Sequence, residues 1–400
     1  MLYTIDVNKI KHSRNILAEI GVTPEGIELM ADKLLHLNIK IKNIRLPAAN
    51  ILKQEMLSLG ADAAVAKGVV VGKDELSDLI LAGSLNQFNK LEKKLQRQSW
   101  FGLEEIRERI KLIVQSHQTE QKVFLQIRDN MFYSDKCYIM GILNITPDSF
   151  SDGNVFFEHN KAVEHCLKMI DDGVDIIDIG GESSRPKSDP IGSKEEMRRI
   201  LPIIDAIRSK TNIPISVDTY RKETAIAALD AGADMINDIS ALRFDEFLAD
   251  SLIERKNIPI VLMHMKGEPK TMQDNPFYED VIDEIMCFFE ERIHYCEQIG
   301  IAKERLILDP GIGFGKRLED NLNIIHNLSA FKSLGCPVLL GASRKAFINQ
   351  IYQSSPKERL MGTLASTALA IQKGVNFLRV HDVKENREFL QVLSAIEGQV

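Results

Sequence analysis

The chain has 400 residues, 44% of them apolar and 27% charged, with 24 glycines and 13 prolines. This globular composition excludes disordered, collagen-like and coiled-coil chains, and the length suits a barrel of roughly 250 residues with a smaller partner domain. Up to residue 130 there are 19 basic against 16 acidic residues, and beyond it 31 against 41, an acidic main body that argues against broad nucleic-acid binding.

The first part of the chain reads as a small α/β domain. Residues 39–46 alternate like a strand, 47–59 form a helix, 64–71 a second strand, and 73–82 and 86–98 two further helices. The polar stretch 116–122 sets a boundary near residue 120, so we expect one domain over 1–120, whose role the sequence does not reveal, and another over 121–400. Residues 123–133 predict a hairpin closing the floor of a barrel.

Beyond it, short apolar runs alternate with amphipathic stretches. The predicted strands are 138–144, 175–180, 214–218, 235–239, 259–264, 306–309, 337–341 and 377–381. Predicted helices include 161–172, 193–210, 221–231, 278–299, 320–334 and 384–396. Eight such strands, each followed by a helix, predict a (β/α)8 TIM barrel. A doubly wound open sheet has the same periodicity and is the alternative. No run approaches 18 consecutive apolar residues, so no membrane span is expected, and Met1–Asp6 lacks a signal-peptide pattern. Five scattered cysteines, Cys137, Cys166, Cys287, Cys296 and Cys336, without a Cys-x-x-Cys pair, point to a reducing cytoplasm.

Chemistry in such a barrel belongs at the C-terminal ends of its strands, and all eight predicted ends carry hydrogen-bonding groups. Asp218, Asn237 and Asp309, with Lys345 as a cation, suit a flat heterocycle presenting N–H and C=O groups around its rim. Ile239, Met263 and Phe314 would line its faces. Arg379 and His381 alternate on strand eight and can grip an anion together, while Asn144 and Asp152 are hard oxygen ligands suited to Mg²⁺ bridging phosphates. Gly311, Gly313 and Gly315 lack the spacing and following helix of a dinucleotide fingerprint, and read instead as a mobile or close-approach loop. His264 reads as structural, and Asp178 and Glu182 as residues orienting the loop after strand two.

In order and spacing, the segments 139–153, 178–186, 216–220, 263–265, 309–315, 341–345 and 379–383 resemble the motifs of the dihydropteroate synthase family over about residues 121–400. The resemblance implies a (β/α)8 barrel, a homodimer, small-molecule substrates and a transferase reaction of folate biosynthesis. That reaction joins 7,8-dihydropterin-6-ylmethyl diphosphate to 4-aminobenzoate with Mg²⁺, by dissociative loss of pyrophosphate. It further implies a pterin site of Asp218, Asn237, Ile239, Met263, Asp309, Phe314, Gly341 and Lys345, and a diphosphate site of Asn144, Ser184, Arg379 and His381. An aminobenzoate site, the target of sulfonamides, would use Ser184, Arg185, Pro186, Phe314 and Lys345. Asp218, Lys345, Asp152 and Arg185 would carry the catalytic work, with Asn144 and Asp152 on the metal.

The family pattern is departed from at four places. Ser184 stands for a usual Thr, Lys187 and Asn154 occupy positions that are often Gly, and Ala346 replaces a common Ser. These bear on loop closure, aminobenzoate affinity and sulfonamide response rather than reaction type. A pterin-dependent methyltransferase would need neither Arg379 with His381 nor the Asn144–Asp152 loop. A degenerate, non-catalytic barrel should have lost some of the polar strand ends.

Overall fold

The computed structural model describes residues 1–72, 75–118, 122–145, 155–183 and 189–396. It divides into two compact units, one built on Met1–Glu120 and the other on Gln121–Lys332 with Cys336–Val400.

The first unit opens with helices Ile10–Glu19 and Pro24–Leu34, the second capped by Thr23, whose side chain accepts the Gly26 N–H. Strands β1 (His36–Arg45), β2 (Asp62–Val65) and β3 (Leu76–Ser84) follow, in an antiparallel sheet of order β1-β3-β2. Helices Leu46–Ser58, Leu85–Leu95 and Leu103–Gln118 contribute Leu52, Met56, Phe88, Leu91 and Ile110 to its core.

Two sequence expectations are corrected here. Residues 73–82, read as a helix, belong mostly to β3, the central strand. Leu76, Leu79 and Ile80 have helical spacing, but β3 pairs on both sides, from Leu81 to Ile39 and Ala63, and that pairing overrides local preference. Residues 64–71, read as a strand, are extended only to Val65, where pairing with Leu79 ends. Helix Lys67–Val71 follows and stops at Gly72, whose φ of 64° favours glycine.

In the second unit, β4 (Val123–Ile127) and β5 (Asn130–Tyr133) form the expected hairpin. Eight parallel strands follow: β6 (Tyr138–Asn144), β7 (Ile176–Gly180), β8 (Ile215–Asp218), β9 (Met235–Asp238), β10 (Ile260–Met263), β11 (Leu306–Asp309), β12 (Leu339–Leu340) and β13 (Phe377–Val380). Their order, β11-β10-β9-β8-β7-β6-β13-β12, is closed by a parallel bridge between Leu308 and Val338, reinforced by the Leu308 N–H donating to the Pro337 carbonyl at 2.9 Å. The structure is therefore a barrel and not an open sheet.

The hairpin plugs the N-terminal end. Leu125, Ile127 and Phe132 join one apolar cluster with Met140, Ile176, Met235, Val261, Ile307, Leu339 and Phe377, drawn from seven barrel strands. The Phe132 ring lies 4.8 Å from Tyr138 and 5.7 Å from Phe377. Phe132→Ala is therefore expected to cost about 3–5 kcal/mol in denaturant unfolding. A loss below about 1 kcal/mol would show that the barrel does not lean on its plug.

Candidate active site

Parallel registry brings the polar strand ends to one height. Asn144 pairs with Gly180, Gly180 with Asp218, Asp218 with Asn237, and Met263 with Asp309. Gly180 matters as an absence of side chain. A Cβ there would stand 3.3 Å from Asn144 Oδ1 and 3.5 Å from Asp218 Cβ, so glycine lets these two groups approach across β7.

The electrostatic centre is Arg379. Its Nε donates to Asp178 Oδ2 at 2.6 Å and its Nη2 to Asp218 Oδ2 at 2.7 Å. Burial opposes the Arg379 charge, but the two carboxylates outweigh it and hold the guanidinium more firmly protonated than usual. Burial pushes the Asp218 carboxyl well up, Asp178, Glu196 and Asp238 add to the rise, and Arg379 opposes it. Asp309 is raised by burial too, although its Oδ1 accepts the Gly311 N–H at 2.7 Å. The Lys345 ammonium sits 4.1 Å from the Phe314 ring centroid. Burial and then Arg379 lower its pKa to about 8, against the pull of Asp309 and Asp218.

Ile239, Met263 and Phe314 form one buried cluster, as the sequence reading expected. Met265, Met272 and Tyr220 join it. Met265 was legible as the i+2 partner of Met263. Met272 was not, because the loop after β10 folds back to deliver it.

His381 enters differently from expectation. Its backbone N–H donates to Ser343 Oγ at 3.2 Å, and the same hydroxyl meets its Nδ1 at 3.0 Å. Burial, then Arg344 and Arg379, push its pKa down to about 3. It is a neutral hydrogen-bonding group at physiological pH, leaving Arg379 as the cation of this pair.

Of the two alternatives for the glycine loop, the structure shows close approach. Gly311, Gly313 and Gly315 have φ of 67°, 80° and 62°, and a Cβ on Gly311 or Gly315 would come within 2.0 or 2.2 Å of the His264 or Lys266 carbonyl oxygen. Asn321 Oδ1 accepts the Gly313 N–H at 2.7 Å, and the Tyr278 hydroxyl donates to the Gly315 carbonyl at 2.9 Å.

The sequence reading missed Lys316. Its buried ammonium reaches His264 Nδ1 at 3.0 Å, the His264 carbonyl at 3.2 Å and the Phe314 carbonyl at 3.0 Å. Burial lowers its pKa to about 7, with Asp309 opposing. It clips the loop bearing Phe314 to the end of β10, and His264 has the structural role expected of it. Lys316→Met would orphan these acceptors. The expected cost is about 1–3 kcal/mol of stability and about a tenfold loss of affinity for a ligand stacked on Phe314. Unchanged unfolding and calorimetry would remove the clip from the account.

Glu182 orients its loop, as expected. It accepts from the Ile191 N–H at 2.9 Å, the Tyr220 hydroxyl at 3.1 Å and Arg221 Nη2 at 2.6 Å. Asp178, expected to share that task, instead turns into the barrel. Asp152, Ser184, Arg185 and Pro186, with the departures at Asn154 and Lys187, lie outside the described residues. Ala346 is exposed at the start of helix Ala346–Ile351. Among the described residues no helix is long and apolar enough to cross a membrane.

The pterin binding enzyme family model matches residues 140–381, the stretch containing every strand end above. The chain belongs to the pterin binding enzyme family. The dihydropteroate synthase of Haemophilus influenzae is 41% identical over 271 residues, covering 66% of this chain and 98% of that protein. A solved structure of the Xanthomonas albilineans dihydropteroate synthase with 4-aminobenzoic acid superposes with a TM-score of 0.64 at 42% identity, covering 68% of this chain and 97% of that one. A probable bifunctional folylpolyglutamate synthase/dihydropteroate synthase of Haloferax volcanii is 34% identical over 393 residues, which is 96% of this chain and 45% of that protein. This last family likeness therefore extends into the N-terminal unit.

Proposed function

We propose that the barrel is a dihydropteroate synthase, condensing 7,8-dihydropterin-6-ylmethyl diphosphate with 4-aminobenzoate to give 7,8-dihydropteroate and pyrophosphate. The observation that carries this reading is the convergence of Asp218, Asn237, Asp309 and Lys345 beside the Ile239–Met263–Phe314 cluster, in a family barrel spanning nearly the whole Haemophilus synthase. The polar groups suit the rim of a pterin, and the cluster suits its face. Arg379 and the neutral His381 N–H hold the departing diphosphate. As its bond to the pterin methylene lengthens, positive charge grows on the pterin, and the Asp218 carboxylate stabilises it. Phe314, Lys345 and the segment bearing Ser184, Arg185 and Pro186 receive 4-aminobenzoate, whose amine then attacks the methylene. Sulfonamides would compete for that site.

The donor chemistry fits Mg²⁺ as a partner of the diphosphate. Among the described residues no cluster of three His, Cys, Asp or Glu could hold a metal, and Asn144 offers a single hard oxygen beside Gly180. A magnesium ion that draws most of its ligands from phosphate and water needs little more than Asn144 and Asp152. Bound there, it would supply charge neutralisation for the leaving group. We read the protein as a cytoplasmic homodimer; five free cysteines support a reducing compartment.

The test is incubation with the pterin diphosphate, 4-aminobenzoate and Mg²⁺, following pyrophosphate release and dihydropteroate formation while each component is omitted in turn. Pyrophosphate and dihydropteroate should appear together and require all three. Absence of product with the complete mixture would overturn the reading.

A further inference from the structure

We propose that Asp178 is a positioning residue for this reaction, holding Arg379 and Asn237 in their working directions from beneath the pocket. The inference deepens the synthase reading and rests on it.

The Asp178 side chain is completely buried on β7. One of its oxygens, Oδ2, accepts from both Arg379 Nε at 2.6 Å and Asn237 Nδ2 at 3.1 Å. The other, Oδ1, has no hydrogen-bond partner among the described residues, nor has the hydroxyl of Ser216, its registry partner on β8. A buried carboxylate using half its acceptor capacity is a poor stabilising device, since an unsatisfied buried acceptor costs about 1–3 kcal/mol. The arrangement makes sense as orientation. The guanidinium of Arg379 forks between Asp178 and Asp218, so its plane is set by two strands rather than one. The amide of Asn237 has its nitrogen turned down to Asp178, which leaves its oxygen and second N–H to face a ligand. Asp178 itself lies below the strand-end ring and acts through these two residues.

Asp178→Asn tests the idea with little change of shape. Its amide oxygen can replace Oδ2, and its NH₂ stands where Oδ1 had no partner, next to Ser216. The melting temperature should stay within a few degrees of wild type, while kcat/KM falls about 10²-fold, because a neutral amide oxygen holds the Arg379 guanidinium less firmly than a carboxylate does. A purely structural role would lower both together. The deciding measurement is a double-mutant cycle: on an Arg379→Ala background, Asp178→Asn should cost several-fold less than it does on wild type, because one of the two groups it positions is gone. The inference is overturned by wild-type kcat/KM in folded Asp178→Asn, or by an undiminished loss on the Arg379→Ala background. Should Asp178→Asn not fold, Asp178→Ser carries the same comparison. Wild-type protein that makes no dihydropteroate would instead refute the synthase reading, so the two failures are distinguishable.

Discussion

Replacing Arg379 by alanine is expected to lower kcat/KM by about 10³-fold and to destabilise the protein by about 3–5 kcal/mol. Asp178 and Asp218 both bond to this one guanidinium, so its loss leaves two carboxylates facing each other across a buried space. The damage should depend on pH in a defined direction. Asp218 already titrates above its unfolded value, roughly 3.9, and without Arg379 it rises further. A carboxyl raised in the folded state costs stability as pH climbs through its folded pKa. Because Asp218 titrates at about 7 with Arg379 present and higher without it, the stability deficit of the variant should be larger at pH 8 than at pH 5. Denaturant unfolding at the two pH values checks this, and a deficit that grows on acidification would reject the pairing. Calorimetry provides the functional half. Affinity for the pterin diphosphate should fall far more than affinity for a pterin lacking phosphate, and equal losses would remove Arg379 from the leaving-group site.

Asp309→Asn is expected to lower kcat/KM by about 10²-fold while the protein still folds. A charge-assisted hydrogen bond at a desolvated site contributes roughly 1.5–3 kcal/mol, and the substitution removes the charge but not the shape. The Gly311 N–H, now bonded to Oδ1, can still be met by the asparagine oxygen, so the loop should keep its place. Binding of a phosphate-free pterin should weaken by a similar factor, because this carboxylate is assigned to the ring and not to the diphosphate. Near-wild-type turnover with intact pterin affinity would dismiss Asp309 from the pterin site.

Much of the barrel is legible in the sequence, because its signals are local. Apolar runs such as Ile176–Gly180, separated by helix-length amphipathic stretches, specify βα units, and polar residues just past such runs belong at the C-terminal mouth of a barrel. Asp218, Asn237, Asp309, Lys345 and Arg379 were found that way, as was the apolar trio Ile239, Met263 and Phe314. The N-terminal unit was harder. Leu76–Ser84 satisfies a helical spacing and a strand alternation equally well, and only pairing with β1 and β2 decides between them.

Tertiary structure alone decided which polar groups meet. Asp178 and Arg379 are 201 residues apart, and Lys316 and His264 are 52 apart. No periodicity encodes either pair. The sequence by itself determined the residue types at each strand end, and therefore what chemistry was on offer. Barrel closure through Leu308 and Val338 determined the partners. It made His381 a neutral donor by burying it near Arg379, turned Asp178 inward, and drew Lys316 under the loop that carries Phe314. The physical reason is range: hydrophobic periodicity is expressed within a few residues, whereas the pKa and direction of a buried charge are set by whatever the fold places within a few ångströms of it.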